Sequence, residues 1–240
     1  MIYVVGLGPG GRDQITERAL EALEACDVIV GYKAYIALIR PFYKGRARLV
    51  ESAMKQERAR CEEVLALAEA GNTVGLVSSG DPGIYGMAGI MLEVAAGRAE
   101  VRIIPGITAA ASAGAILGAP LTHDFAVVSL SDLLTPWELI EKRLTAAAQA
   151  DFVICLYNPA SHGRPEHLAR AAEILMRVLP AERIAGWVRN AGREGELSQI
   201  TTLGALPKAP IDMFCTVIIG NSRTKLVAGH MVTPRGYRAD

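Results

Sequence analysis

The chain has 240 residues, 51% of them hydrophobic, and its 25 Lys plus Arg are cancelled by 25 Asp plus Glu. That length buries a core in one domain or two small ones, and the cancelled charge gives no sign of a general affinity for nucleic acid. No apolar run approaches the roughly 20 residues needed to span a bilayer, and no basic segment leads into an apolar stretch at the N-terminus, so a soluble cytoplasmic protein with no membrane partner is expected.

In chain order, the strand "IYVVG" precedes a helix expected over 13–25, where Ile15, Ala19, Ala22 and Leu23 share a face. The strand "DVIVG", a short helix over 33–40 and the strand "RARLVE" follow. A helix over about 55–70 carries Cys61, Val64, Leu65 and Ala68 as an i, i+3, i+4, i+7 stripe, with Gly71 suited to its C′ position. "TVGLVSSGDPGIYG" and "VRIIPGIT" each read as a buried strand running into a glycine-containing turn and a helix. Unbroken apolar strands separated by helices predict a mostly parallel sheet covered on both faces.

Gly, Pro and polar residues in "LGAPLTHDF" predict a boundary near 117–125, dividing the chain into 1–118 and 119–240. After the strand "FAVVSLS", Thr135-Pro136-Trp137-Glu138 predicts a helix start with Thr135 as N-cap, Pro136 at N1 and Glu138 closing a capping box. "DFVICLYN" is a buried strand, and the helix after it gathers Leu168, Ala171, Ala172, Leu175 and Leu179. "RIAGWVRN", "LSQITTL" and "MFCTVIIGN" have little helix between them, so this half is expected to form a mixed sheet with antiparallel strands. Cys26, Cys61, Cys155 and Cys215 form no C-x-x-C pair and lie in apolar surroundings, which favours core packing over metal ligation; no metal is expected.

Three turns carry the chemistry. Gly6, Gly8 and Gly11 satisfy G-x-G-x-x-G, but a dinucleotide site also needs a carboxylate ending the second strand, about 20 residues on. Here that strand ends in Gly31-Tyr32-Lys33, its acid Asp27 stands at the start, and Pro9 removes one backbone N–H from the turn. Glycines in a tight strand-to-helix turn also let a neighbouring backbone pass closely. "SSGDPGIYG" follows a buried strand, so it belongs at the carboxyl edge of the sheet, where open α/β sheets bind ligands. Asp81 is held there between Gly80 and Pro82, either as a ligand contact or as an ordinary turn residue. "PGITAAASA" offers Thr108 and small residues at a third turn.

In order and spacing, "GLGPG", "SSGDPGIYG" and "PGITAAASA" resemble the tetrapyrrole methylase family. "SLSDLLTPW", "YNPAS", "DMFCTVIIGNS" and "TPRGY" are similar to its precorrin-3B C-17-methyltransferase branch, and the resemblance covers essentially the whole chain. It implies two α/β domains with a ligand cleft between them, a substrate trough and part of the donor site in 1–118, and the rest of the donor site in 119–240. It implies methylation of C-17 of precorrin-3B or cobalt-precorrin-3, with ring contraction to precorrin-4 or its cobalt form. The alternative is a family member acting on another corrin-ring position. S-adenosyl-L-methionine is the implied methyl donor, S-adenosyl-L-homocysteine its product, a tetrapyrrole the substrate, and a homodimer the assembly.

On the family's pattern the donor-binding positions are Pro9, Gly80, Asp81, Ile84, Thr108, Ala109, Tyr157 and Met213. Tyr157 and Met213 are the candidates to flank adenine, or ordinary strand residues. Ring contraction moves protons, which calls for a general acid or base; His123, Asp124 and Asp132 are the candidates, with His123 alternatively a linker residue. Carboxylates on the substrate rim call for cations, drawn from Lys33, Arg40, Lys44, Arg46 and Lys55 in the first half, and Arg164, Arg189, Arg193 and Arg235 in the second.

Overall fold

The computed structural model describes residues 1–53, 56–161 and 163–237. The chain divides into two compact units, Met1–Ala109 and Ala110–Asp240.

The first unit runs β1 (Ile2–Gly6), α1 (Glu17–Glu24), β2 (Val28–Tyr32), α2 (Lys33–Ile39), β3 (Arg48–Ser52), α3 (Glu57–Glu69), β4 (Val74–Ser78), α4 (Ala88–Ala95) and β5 (Val101–Ile104). Its strands form one parallel sheet in the order β3-β2-β4-β1-β5. Because side chains alternate along a strand, the apolar runs feed two cores at once. Ile2, Val4, Val28, Val30, Val74 and Leu76 pack with α3 and α4, while Val5, Ile29 and Val77 pack with α1 and α2. Both faces are therefore dry, which is why these strands read as continuous hydrophobic runs rather than alternating ones.

The first helix starts later than its periodicity predicts. A 3-10 turn occupies Arg12–Gln14, and α1 begins at Glu17 because Thr16 caps it, its Oγ1 accepting from Ala19 N–H at 3.2 Å. Gly71, with φ +94°, follows α3 as expected.

The second unit begins at the second residue of α5 (Ala109–Leu117) and continues β6 (Gly118–Ala119), β7 (Phe125–Ser129), α6 (Trp137–Gln149), β8 (Val153–Tyr157) and α7 (His167–Met176). Then come β9 (Ile184–Arg189), β10 (Leu197–Thr202), β11 (Cys215–Ile219), β12 (Lys225–Val227) and β13 (His230–Val232). The order β10-β9-β11-β8-β7 makes a mixed sheet in which only β7 and β8 are parallel neighbours. A small sheet, β12-β13-β6, has no counterpart in the sequence pattern, since its strands are two or three residues long.

The division of the chain falls before the expected 118/119 position because of α5. Ala110, Ala113 and Leu117 are buried with Val153, Cys155, Val188 and Ile218, so the helix belongs to the core of the mixed sheet. The start of α6 also differs from expectation. Pro136 itself is the N-cap, with ψ 141° and no side-chain cap bond; Leu139 and Ile140 N–H donate to its carbonyl at 3.0 and 3.3 Å. Proline's fixed φ fits the cap, and Thr135 is left one residue outside the helix. Among the described residues no helix is long and apolar enough to cross a membrane.

Both tryptophans, Trp137 and Trp187, lie in the second unit, so their fluorescence reports its unfolding alone. Leu144 is fully buried in the cluster that contains Trp187. Leu144→Ala should destabilise that transition by about 2–5 kcal/mol, read as a lower urea midpoint at unchanged slope.

Candidate functional site

Parallel strands end on one side of a sheet, so the loops after β1, β4 and β5 meet at the carboxyl edge of the first unit. β4 and β5 flank β1, which makes these three loops neighbours. The glycines make the contact possible. A Cβ on Gly6 would stand 2.6 Å from Gly106 N, 2.7 Å from the Gly80 carbonyl and 2.8 Å from Pro82 Cδ. A Cβ on Gly106 would collide with the Gly80 carbonyl. Gly8 and Gly80, with φ +63° and +67°, form an isolated antiparallel bridge: Gly80 N–H donates to Gly8 O at 2.8 Å and Gly8 N–H to Gly80 O at 3.1 Å. The opening glycine motif is thus a backbone-to-backbone contact site between two loops.

Asp81 fastens the third loop. One carboxylate oxygen accepts from Gly83 N–H at 2.8 Å and the other from Gly106 N–H at 3.0 Å. Each such charge-assisted bond stabilises by about 1.5–3 kcal/mol, so this side chain has a structural part to play beside any contact with a ligand. Pro9, next in sequence to the bridge residue Gly8, is buried. Ile84 and Ile107 expose apolar surface at 38% and 39%, next to the polar backbone of the turns. Thr108 and Ala109 lead into α5, and both lie about 3.9 Å from the position a Gly80 Cβ would take (3.8 Å for Thr108 Cα, 3.9 Å for Ala109 N). The expected donor-binding residues of the first unit therefore lie along one edge.

The second unit has an edge of its own. β8 and β9 both run antiparallel to β11, and β7 runs parallel to β8, so the carboxyl ends of β7, β8 and β9 share a side with the amino end of β11. That edge gathers Asp132, Tyr157, Arg189, Asp212 and Met213. The Tyr157 hydroxyl accepts from Ala110 N–H at 2.6 Å, satisfying one of the amides a helix start leaves without an internal partner. Arg189 Nη2 pairs with Asp212 Oδ2 at 2.9 Å, and Asp212 also accepts from Phe214 N–H, shaping the turn that presents half-exposed Met213.

His123 and Asp124 are elsewhere. They precede β7 at its amino end, where Asp124 O accepts from Val153 N–H and His123 Nδ1 accepts from Asp124 N–H at 2.8 Å. The three acid–base candidates are therefore split across opposite edges of one sheet, with Asp132 alone on the side of Tyr157 and Met213. His167 was not legible in advance: its ring nitrogen Nε2 lies 3.1 Å from Asp132 Oδ2, a pairing made by tertiary structure across 35 positions of sequence that no spacing rule encodes.

The cations divide as well. Arg40 is paired with Glu51 at 2.6 Å, Arg235 donates to the Thr122 carbonyl, and Lys33, Lys44 and Arg46 are exposed. Lys55 lies outside the described residues. Burial pushes the thiols of Cys26 and Cys155 up to about 12 and those of Cys61 and Cys215 to about 11, so none is a nucleophile near neutral pH. Among the described residues no cluster of His, Cys, Asp and Glu is placed to hold a metal ion.

The family model of Tetrapyrrole (Corrin/Porphyrin) Methylases matches residues 1–207. The chain belongs to this family. It is 50% identical over 240 residues to the probable cobalt-factor III C(17)-methyltransferase of Salmonella typhimurium, covering 99% of each chain. It is 40% identical over 247 residues to the precorrin-3B C(17)-methyltransferase of a Sinorhizobium species, covering 98% of this chain and 96% of that one. The crystal structure of the methyltransferase CobJ matches with a TM-score of 0.91 at 37% identity, covering 97% of this chain and 99% of that one. In this methylase, then, the three glycine turns belong to a family fold and not to a dinucleotide-binding one.

If Asp81 is the fastening of the three turns, Asp81→Ala should leave the sheet intact and release the amides it holds. Amide exchange by NMR should show Gly83 and Gly106 losing protection while the β1 and β4 amides keep theirs.

Proposed function

We propose that this methylase transfers a methyl group from S-adenosyl-L-methionine to C-17 of a cobalt-bearing tetrapyrrole of the cobalt-factor III type, with contraction of the macrocycle. The alternative substrate is metal-free precorrin-3B. The observation that carries the reading is the full-length identity to C(17)-methyltransferases, higher for a relative named for cobalt-factor III than for one named for precorrin-3B.

The turns of the first unit fit an amphiphilic, partly cationic donor. Gly80 and Gly106, both partly exposed, carry no side chain of their own over the backbone of the turns, and Ile84 and Ile107 supply apolar surface beside it. Pro9, Gly80, Asp81, Ile84, Thr108 and Ala109 are the proposed donor contacts there, with Tyr157 and Met213 of the second unit as further ones. When bound, the donor supplies an electrophilic methyl group on a sulfur that leaves as a neutral thioether, so no acid is needed to expel it. The chain's task is placement: holding a ring carbon about 3–3.5 Å from the methyl group, in line with the bond that breaks. Turns fixed by the Gly8–Gly80 bridge and by Asp81 are suited to it, since their backbone has little freedom left to lose on binding.

Proton movement during ring contraction is assigned to Asp132, the acid–base candidate on the edge shared with Tyr157 and Met213. His123 is committed to its neighbour's backbone amide at the opposite edge. The substrate is a small-molecule tetrapyrrole, and balanced charge argues against a nucleic-acid substrate. We further propose a cytoplasmic homodimer, on family resemblance.

The test is a methyl-transfer assay with isotopically labelled donor and two acceptors in parallel, cobalt-factor III and precorrin-3B. Label should enter the cobalt-bearing acceptor with the higher kcat/KM, and the product should carry one added methyl group at C-17. Faster labelling of precorrin-3B would reverse the substrate assignment; label at another ring carbon would overturn the C-17 reading.

A further inference from the structure

The carboxyl edge of the mixed sheet contains an imidazole that placement of a methyl group does not use. His167 opens α7 and is 7% exposed. Its Nε2 lies 3.1 Å from Asp132 Oδ2, a short polar contact, and its Nδ1 is buried with no hydrogen-bond partner among the described residues. The ring stands edge-on to Trp137, the first residue of α6, with centroids 4.8 Å apart and planes at 75°. Arg170, one turn further along α7, covers the Trp137 ring at 4.0 Å from its centroid. The imidazole is thus clamped by two helix starts and directed at one carboxylate.

Asp132 is held from its other side too. Arg164 Nη1 lies 3.8 Å from Asp132 Oδ1, and the guanidinium is itself fixed by Ser131 Oγ at 2.5 Å and Ser161 Oγ at 3.1 Å. Each carboxylate oxygen has one neighbour, yet 35% of the Asp132 side chain is exposed. An unpaired buried acceptor such as His167 Nδ1 is a cost that an apolar side chain of equal volume would avoid. Packing alone does not account for an imidazole there.

We propose that His167 is a positioning residue that holds the Asp132 carboxylate ionised and turned toward the sheet edge, where it accepts a proton from the substrate. This rests on the methyltransferase function proposed above. Alkylation of a neutral ring carbon forms the new C–C bond with an electron pair of the macrocycle, while sulfur keeps the pair of the bond that breaks. The macrocycle is left with one positive charge, and loss of one C–H or N–H proton to Asp132 restores neutrality. Asp132 becomes a carboxylic acid and returns that proton to water.

One titratable and one charged group among the described residues face the carboxylate, the imidazole of His167 from α7 and the guanidinium of Arg164 from the segment before it; Arg170 is one layer out, on Trp137. Asp132 titrates below the usual carboxylate range, first through the hydrogen bond from His167, with burial opposing it and the charges of His167 and Arg164 adding to it. Removing His167 therefore raises the carboxyl's titration point, and a base that works only when ionised loses activity at higher pH than before.

The experiment compares wild type, Asp132→Asn, His167→Phe and His167→Gln, with the Asp132 carboxyl carbon followed by NMR against pH and kcat measured across the same range. Asp132→Asn should lower kcat about 10²- to 10⁴-fold, with KM changed little. His167→Phe keeps a ring against Trp137 but offers no N–H; the Asp132 titration and the acid limb of the kcat profile should move together to higher pH. His167→Gln, which restores a donor, should bring both part of the way back. Thermal unfolding identifies any variant that fails to fold, and the exposed Asp132→Asn then carries the test. If the wild type methylates but Asp132→Asn retains full kcat, or if both titrations stay put in His167→Phe, the proposal is overturned and the function stands. Wild-type protein that transfers no methyl group overturns both.

Discussion

The constraint on which the first unit depends is the passage of three backbones through one place. Gly6 and Gly106 occupy positions where a single methyl group would overlap a neighbouring peptide, Gly80 takes a left-handed φ of +67°, and the Gly8–Gly80 bridge turns that proximity into two hydrogen bonds. Asp81 then ties the turn after β4 to the turn after β5. Everything proposed about donor binding follows from this edge being narrow, polar in its backbone and fixed before a ligand arrives. Side chains at these points would have kept the loops apart and left β1, β4 and β5 ending in separate, mobile turns.

In the second unit the organising fact is strand direction. Because β7, β8 and β9 all point the same way and β11 points back, residues far apart in sequence share one edge: Asp132, Tyr157, Arg189 and Met213. The same geometry removes His123 and Asp124 from that group, although they are closer in sequence to Asp132 than Met213 is. Proximity in sequence is a poor guide when a strand separates two residues, since its five residues carry the chain about 16 Å from one edge to the other.

Much of the fold was legible because burial leaves direct marks on sequence. The doubly covered strands of the first sheet read as unbroken apolar runs, and the α3 stripe of Cys61, Val64, Leu65 and Ala68 is buried as its spacing requires. What failed was local geometry set by tertiary context: the late start of α1 behind a 3-10 turn, Pro136 rather than Thr135 at the cap of α6, and the allegiance of α5 to the second core. The candidate site was legible as motifs, and the role of Asp81 was not, because its two amide partners lie 2 and 25 residues away and only the first is visible as a turn. His167 carried no sequence signal at all.

The central claim is that the three glycine turns of the first unit hold the methyl donor. Hydrogen-exchange mass spectrometry with and without S-adenosyl-L-homocysteine tests it most directly. The product should slow exchange in peptides spanning 6–11, 78–84 and 104–109 and leave β3 and α3 unaffected. Binding detected by calorimetry with no added protection in those three segments would contradict the account.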